Sequence, residues 1–239
     1  MGLIGKAFGS FKRRLGIAKR PAGSQATITK QATVASMSDE DKLARDMANV
    51  AYDKSDERGN IGDYEYDRDL SDKNTAVYHN KKTKQNYLGL RGTKDLKDLY
   101  TDLADPRGNI LRGTQGTNPM YEDDLKLYDK VQAKYGGSTL TSGHSLGGSR
   151  AQNLSKKKNI TGQAFNLGRG FDKGMVLDKA KCSLPKAIRP SFCGKFTSHH
   201  IRGDALSLLN FASYGKHKRY KMKGPHKAHF MSGFYDQKG

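Results

Sequence analysis

The sequence predicts an α/β fold: a mostly parallel sheet flanked by helices, in a single domain behind a basic N-terminal extension. Three observations predict it. The first is Gly143-His144-Ser145-Leu146-Gly147-Gly148. It lies between the β-prone run Ser138-Thr139-Leu140-Thr141-Ser142 and Ser149-Arg150-Ala151-Gln152-Asn153-Leu154, which can continue as a helix. That is a strand, a sharp turn and a helix. The second is the alternation of helical and strand patterns downstream of residue 38. The third is the length of 239 residues, ordinary for one α/β domain.

Residues 1–36 read as a separate basic segment and linker, and residues 37–239 as the folded domain. Met1 to Arg20 carries six basic residues and no acidic one. Leu3, Ile4, Ala7, Phe8, Phe11 and Leu15 recur at helical spacing beside Lys12, Arg13, Arg14 and Lys19. The pattern suits an amphipathic basic helix, with a flexible tail as the alternative. Lys6 stands where a myristoylation signal wants Ser or Thr. Residues 21–36 are rich in Ala, Ser, Thr and Gln, as linkers are.

Ser38 is an N-cap candidate, with Asp39, Glu40 and Asp41 favourable in a first helical turn. Leu43, Ala44, Met47, Val50 and Ala51 form one apolar face, so residues 39–54 should be helical. Residues 55–72 are charged and read as loop. Ala76-Val77-Tyr78-His79 and Asn86-Tyr87-Leu88-Gly89-Leu90 read as a hairpin around Lys81-Lys82-Thr83-Lys84. Residues 95–104 read as helix and 105–118 as a loop or lid. Residues 121–135 read as helix, with Leu125, Tyr128, Val131 and Tyr135 on one stripe and Gly136-Gly137 as its stop. After the Gly143–Gly148 turn and its helix, residues 162–167 read as a short strand. Residues 169–195 read as irregular and 195–201 as a strand. A basic stretch closes the chain.

The formal net charge is +19, from 43 basic and 24 acidic residues. Such a field favours phosphate-bearing partners: nucleic acid, anionic lipid headgroups or acidic proteins. No run approaches the roughly 18 apolar residues of a membrane span. Lys6, Lys12, Arg13 and Arg14 interrupt any secretory apolar region. These features point to an intracellular or virion-associated chain, peripheral to membranes at most. The cysteines are Cys182 and Cys193, with no C-x-x-C, so a zinc site is not expected. In a reducing compartment they should be two ordinary thiols.

The Gly143–Gly148 turn has the context of a nucleophile elbow. The central Ser would occupy a strained backbone conformation, and Gly two positions before and after removes side chains that would collide across the turn. The backbone N–H of Leu146, at the helix N-terminus, could then hold an oxyanion. A nucleophilic Ser145 needs a base and a group to orient it. The acids that follow it are Asp172, Asp178, Asp204 and Asp236, and the histidines His199, His200, His217, His226 and His229. Asp204 follows a strand, where active-site residues of open α/β sheets sit, and Asp172 is the second choice. His229, with apolar neighbours in Ala228-His229-Phe230-Met231, is preferred over His226 as base.

With these residues in view, the chain resembles the class 3 (fungal-type) lipases of the α/β-hydrolase fold. Leu43-Ala44-Arg45-Asp46-Met47-Ala48-Asn49-Val50-Ala51-Tyr52 resembles their N-terminal helix. Tyr87-Leu88-Gly89-Leu90-Arg91-Gly92-Thr93, followed by Asp98-Leu99-Tyr100-Thr101-Asp102-Leu103, resembles their oxyanion strand and the stretch after it. Thr139 to Gly148 is similar to their elbow, including the His before the Ser. Phe165-Asn166-Leu167-Gly168 resembles the next strand, and His200-Ile201-Arg202-Gly203-Asp204 falls where the family has its acid. The resemblance spans roughly residues 39–234.

It implies Ser145 as nucleophile, Asp204 as orienting acid, His229 as base, and Thr93 with the Leu146 N–H as oxyanion hole. It implies hydrolysis of lipid acyl esters, phospholipid or glyceride, at an anionic surface, with no metal or organic cofactor. The sequence departs from the family in having Tyr100 for its Trp, a polar helix ending in Lys156-Lys157-Lys158, and a short span from Asp204 to His229. The rival expectation is a basic structural or nucleic-acid-associated protein, such as a virion component, that keeps the fold. Oligomeric state is not legible.

Overall fold

The computed structural model describes residues 33–92, 119–168, 173–204, 213–221 and 230–235. Residues 1–32 of the N-terminal segment, residues 95–104, the candidate lid at 105–118, Thr93, Asp172, His226, His229 and Asp236 lie outside them. The helices are α1 (Asp39–Val50), α2 (Pro119–Tyr135), α3 (Leu146–Lys158) and α4 (Lys173–Cys182). The strands are β1 (Glu65–Asp72), β2 (Thr75–Asn80), β3 (Gln85–Leu90), β4 (Ser138–His144), β5 (Thr161–Phe165), β6 (Phe196–Ile201) and β7 (Lys216–Tyr220).

The seven strands lie side by side in sequence order. β1, β2 and β3 pair antiparallel, and β3 through β7 pair parallel. This is the mostly parallel, helix-flanked sheet that the sequence predicts. Parallel neighbours taken in order, each joined by a right-handed crossover, put their connecting helices on one face. The core divides accordingly. On one face Val131 of α2 and Ala151 and Leu154 of α3 pack with Val77, Leu88, Leu90, Ala164 and Phe196. On the other, Ala44, Met47, Ala48 and Val50 of α1 pack with Tyr78, Tyr87, Phe165 and Ile201. Alternate strand residues thus feed opposite cores, as a period of two requires.

α1 begins as expected: the Ser38 side chain accepts a hydrogen bond from the Asp41 N–H, and Asp39, Glu40 and Asp41 fill the first turn. It stops at Val50, short of residue 54. The expected hairpin is β2–β3, in register from Thr75↔Leu90 to Asn80↔Gln85.

Three expectations fail. Residues 65–72, read as loop, form strand β1; the basic tail, to which the sequence assigned no element, contributes strand β7. Both are sheet edges, and their charged residues serve the open side of an edge rather than a core. The span 169–195, read as irregular, contains α4 and a 3₁₀ turn, Ser191–Gly194. Cys182 and Cys193 are joined in a disulfide, contrary to the expectation of thiols. The C-terminus of α4 and the 3₁₀ turn bring their Cα atoms to 5.2 Å, within bridging reach. None of the described helices is long and apolar enough to cross a membrane.

One buried ion pair ties these parts together. Arg150 of α3 meets Asp124 of α2 through two parallel hydrogen bonds, Nε to Oδ2 at 2.9 Å and Nη2 to Oδ1 at 2.5 Å. Nη2 also donates to Thr75 Oγ1 at 3.0 Å, and Nη1 to the carbonyls of Asn74 and Arg91 at 3.0 and 3.1 Å. Both side chains are buried. One guanidinium thus fixes two helices, the start of β2 and the residue after β3. Breaking a buried pair leaves an uncompensated charge, which costs about 3–5 kcal/mol. Arg150→Ala should therefore lower unfolding free energy by about that amount in urea titrations, and Arg150→Ala/Asp124→Leu should recover part of it. A loss below about 1 kcal/mol, the range of exposed pairs, would contradict this role.

Candidate active site

The parallel register aligns the strand ends along one edge. Leu90 pairs with Gly143, His144 with Phe165, and Phe165 with His199. Arg91-Gly92, Ser145, Asn166 to Gly168 and the turn carrying Asp204 therefore leave the sheet at the same end. That is the carboxyl edge, where open α/β sheets build their sites.

Ser145 sits between β4 and α3 with φ 55° and ψ −123°. A non-glycine residue rarely holds a positive φ, and a strained residue between strand and helix is what an elbow requires. The Ser145 N–H donates to the Phe165 carbonyl at 3.1 Å, and its carbonyl accepts from Gly148 and Gly168 at 3.0 and 2.8 Å. Three backbone bonds thus hold the strained residue in place. The flanking glycines are dictated by close approach. A Cβ on Gly143 would run into the Gly147 carbonyl, and one on Gly147 into the Leu90 carbonyl and, at 2.8 Å, the Gly92 nitrogen.

Gly168 completes the setting. A Cβ there would stand 3.0 Å from both Ser145 Oγ and Leu146 N. Glycine at 168 therefore keeps side-chain atoms away from the hydroxyl and the first N–H of α3. An oxygen bound near that N–H would meet a helix N-terminus, which favours negative charge.

Tyr52, just past α1, clamps the neighbouring strand to the elbow. Its hydroxyl lies 2.9 Å from His144 Nδ1 and accepts from the Gly92 N–H at 3.2 Å. Burial pushes the Tyr52 hydroxyl up to about 12, against the pull of the Gly92 N–H. It remains a neutral phenol throughout the physiological range. Thr93, outside the described residues, follows directly on this clamp.

Asp204 is buried at the end of a tight turn after β6. Gly203 takes φ +95°, and the Asp204 N–H donates to the Ile201 carbonyl at 3.2 Å. Asn166, itself at φ 45°, accepts from the Ile201 N–H through Oδ1 at 2.9 Å. The ends of β5 and β6 are thereby locked together beneath the turn. Asp178, the other described acid weighed from sequence, is paired with Lys156 at 2.7 Å.

His199 and His200 do not stand as a base for Ser145 in chain order, yet both are buried in polar networks. His199 lies 2.7 Å from Gln163 Oε1 and 3.0 Å from the Tyr220 hydroxyl. His217 Nε2 donates to the Ser213 carbonyl, so its Nδ1 accepts from His200 Nε2 at 3.0 Å. Burial pushes His199 down to about 3, against the attraction of Asp41. Burial, with His217 and Arg219, pushes His200 down to about 4, against the attraction of Asp204. Tyr52, Arg150, Asn166 and Gly168 are supporting residues that the sequence reading assigned no role. Each acts through backbone approach or burial, which spacing does not display.

No family model and no curated protein matches the chain. Among solved structures it is similar to the Lip2 lipase of Yarrowia lipolytica, at 19% identity and TM-score 0.48 over 76% of this chain and 78% of that one. A triacylglycerol lipase of Penicillium expansum is similar at 16% identity and TM-score 0.44, over 83% of this chain and 84% of that one. A Rhizomucor miehei lipase propeptide complex is similar at 13% and 0.43, over 84% and 79%. The chemistry of the site rests on the chain's own residues.

The two histidines make a pH prediction. Their folded pKa values lie below the unfolded value of about 6.5, so in acid the unfolded chain binds protons that the folded chain refuses. Stability should therefore fall as pH drops from about 6 towards 4.5, by up to about 1.4 kcal/mol per pH unit for each histidine. Urea midpoints across that range, with His199→Gln and His200→Gln for comparison, check it. Each variant should flatten the slope. A midpoint independent of pH in the parent chain would contradict the burial of neutral imidazoles.

Proposed function

We propose that this chain is a serine hydrolase of lipid acyl esters, with Ser145 as nucleophile, Asp204 as orienting acid and His229 as base. The observation that carries the reading is Ser145 itself. It is a non-glycine residue at φ 55° between a parallel strand and a helix N-terminus, with Gly143, Gly147 and Gly168 where a Cβ would meet main-chain atoms of the turn or its neighbours. Ser145 Oγ attacks the ester carbonyl while His229 takes its proton. The Leu146 N–H and Thr93 hold the developing oxyanion, a role worth about 2.7–4 kcal/mol per donor in other hydrolases. His229 then protonates the leaving alcohol, and water cleaves the acyl-enzyme. No step calls for a metal or organic cofactor.

The substrate reading is a phospholipid or glyceride presented at an anionic surface, which the charge of +19 supports. The same charge supports a second reading, a structural or nucleic-acid-associated protein on the same fold. The Cys182–Cys193 bond favours virion association or another oxidising setting over a reducing cytosol.

The test is labelling with a fluorophosphonate probe. The parent chain should be modified once, at Ser145, and lose ester turnover in step with labelling. Ser145→Ala should not label, and its turnover on short acyl esters should fall by several orders of magnitude. Equal labelling of both chains would remove the hydrolase reading and leave the polyanion-binding one.

A further inference from the structure

Most large apolar side chains that the described residues leave in water fall in one short stretch. Val176 and Leu177 of α4, and Leu184 and Ile188 of the turns after it, are each at least 41% exposed, and Ile188 reaches 66%. Phe230 is the one other large exposed apolar residue among the described residues. Lys179, Lys181, Lys186 and Arg189 are interleaved with these four and are also exposed.

The acidic inventory of the stretch is Asp178 alone, and it points inward. Its carboxylate is 2% exposed and takes two bonds from Lys156 Nζ, each 2.7 Å. The outer surface is therefore aliphatic and cationic, with no exposed carboxylate. The Cys182–Cys193 bond fastens the end of α4 to the Ser191–Gly194 turn, so the loop carrying Leu184, Lys186, Ile188 and Arg189 is closed at its base.

We propose that residues 176–190, the end of α4 and most of the loop that the Cys182–Cys193 bond closes, are a docking surface for an anionic lipid layer. Three physical arguments select that occupant. A second copy of the same surface would bring like charges face to face. A nucleic acid would reward the cations, but bases stack on aromatic rings, and the exposed apolar groups here are Val, Leu and Ile. A lipid layer uses both sets: aliphatic tips enter the boundary between headgroups and acyl chains, and cations meet the negative headgroups. The choice of lipid over an acidic protein rests on the reading of the chain as a lipid-ester hydrolase. Asp178 ties the stretch to Lys156, about three turns along α3 from Ser145 at its N-cap, so these residues can be altered without touching Ser145.

The experiment is co-sedimentation of the full chain with vesicles of phosphatidylcholine, alone or mixed with phosphatidylserine, at low and high salt. Turnover of a soluble short-chain ester is measured on the same samples. Leu184→Asn/Ile188→Asn should weaken binding to the mixed vesicles about tenfold at either salt concentration. Lys186→Gln/Arg189→Gln should weaken it about tenfold or more at low salt, and much less at high salt, where the headgroup charge is screened. Both variants should turn over the soluble ester as the parent does. Undiminished vesicle binding in the Leu184/Ile188 variant would overturn the proposal. So would a change of oligomeric state in that variant without a change in vesicle binding, which would point to a second copy. Patch-dependent binding in a chain with no ester turnover would support the docking surface while removing the hydrolase reading.

Discussion

The constraint on which this structure turns is the crowding of backbone around Ser145. A strand must turn into a helix within one residue, and that residue, Ser145, is not a glycine. The positive φ is tolerable only because Phe165, Gly148 and Gly168 grip both peptide groups of Ser145. That grip requires the end of β5 to touch the turn, and the end of β3 stands equally close at Gly147. Gly143, Gly147 and Gly168 are the consequence: each occupies a point where a methyl group would meet main-chain atoms.

Two devices outside the turn hold the end of β3 in place. Arg150 collects the carbonyls of Asn74 and Arg91 and neutralises its charge on Asp124, fixing α2 and α3 to the start of β2 and the exit of β3. On the opposite face Tyr52 links α1 to His144 and Gly92. The end of β3 is thereby held from both sides of the sheet. A site built this way places its groups by main-chain geometry, so its precision comes from the fold and not from mobile side chains.

The inner strands were legible because both faces of the sheet are covered, and burial demands apolar or small residues such as Ala76, Val77, Leu88, Leu90, Ala164 and Phe165. The edges were not legible. β1 reads Glu-Tyr-Asp-Arg-Asp-Leu-Ser-Asp and β7 reads Lys-His-Lys-Arg-Tyr, patterns that protect an open edge and look like loop. The elbow was legible through its glycines, and Asp204 through its place after β6. The role of Arg150 was not legible because a buried arginine is recognisable only with its partners, and Asp124 lies 26 residues away. The disulfide was missed because the compartment, not the geometry, set the expectation.

The measurement that bears most directly on the account is the pre-steady-state reaction with a chromogenic acyl ester, quenched and digested for peptide mass spectrometry. The account predicts a burst of alcohol release matched by an acyl group on the peptide containing Ser145. Alcohol release without a burst, together with an acyl group found only on other residues, would contradict it.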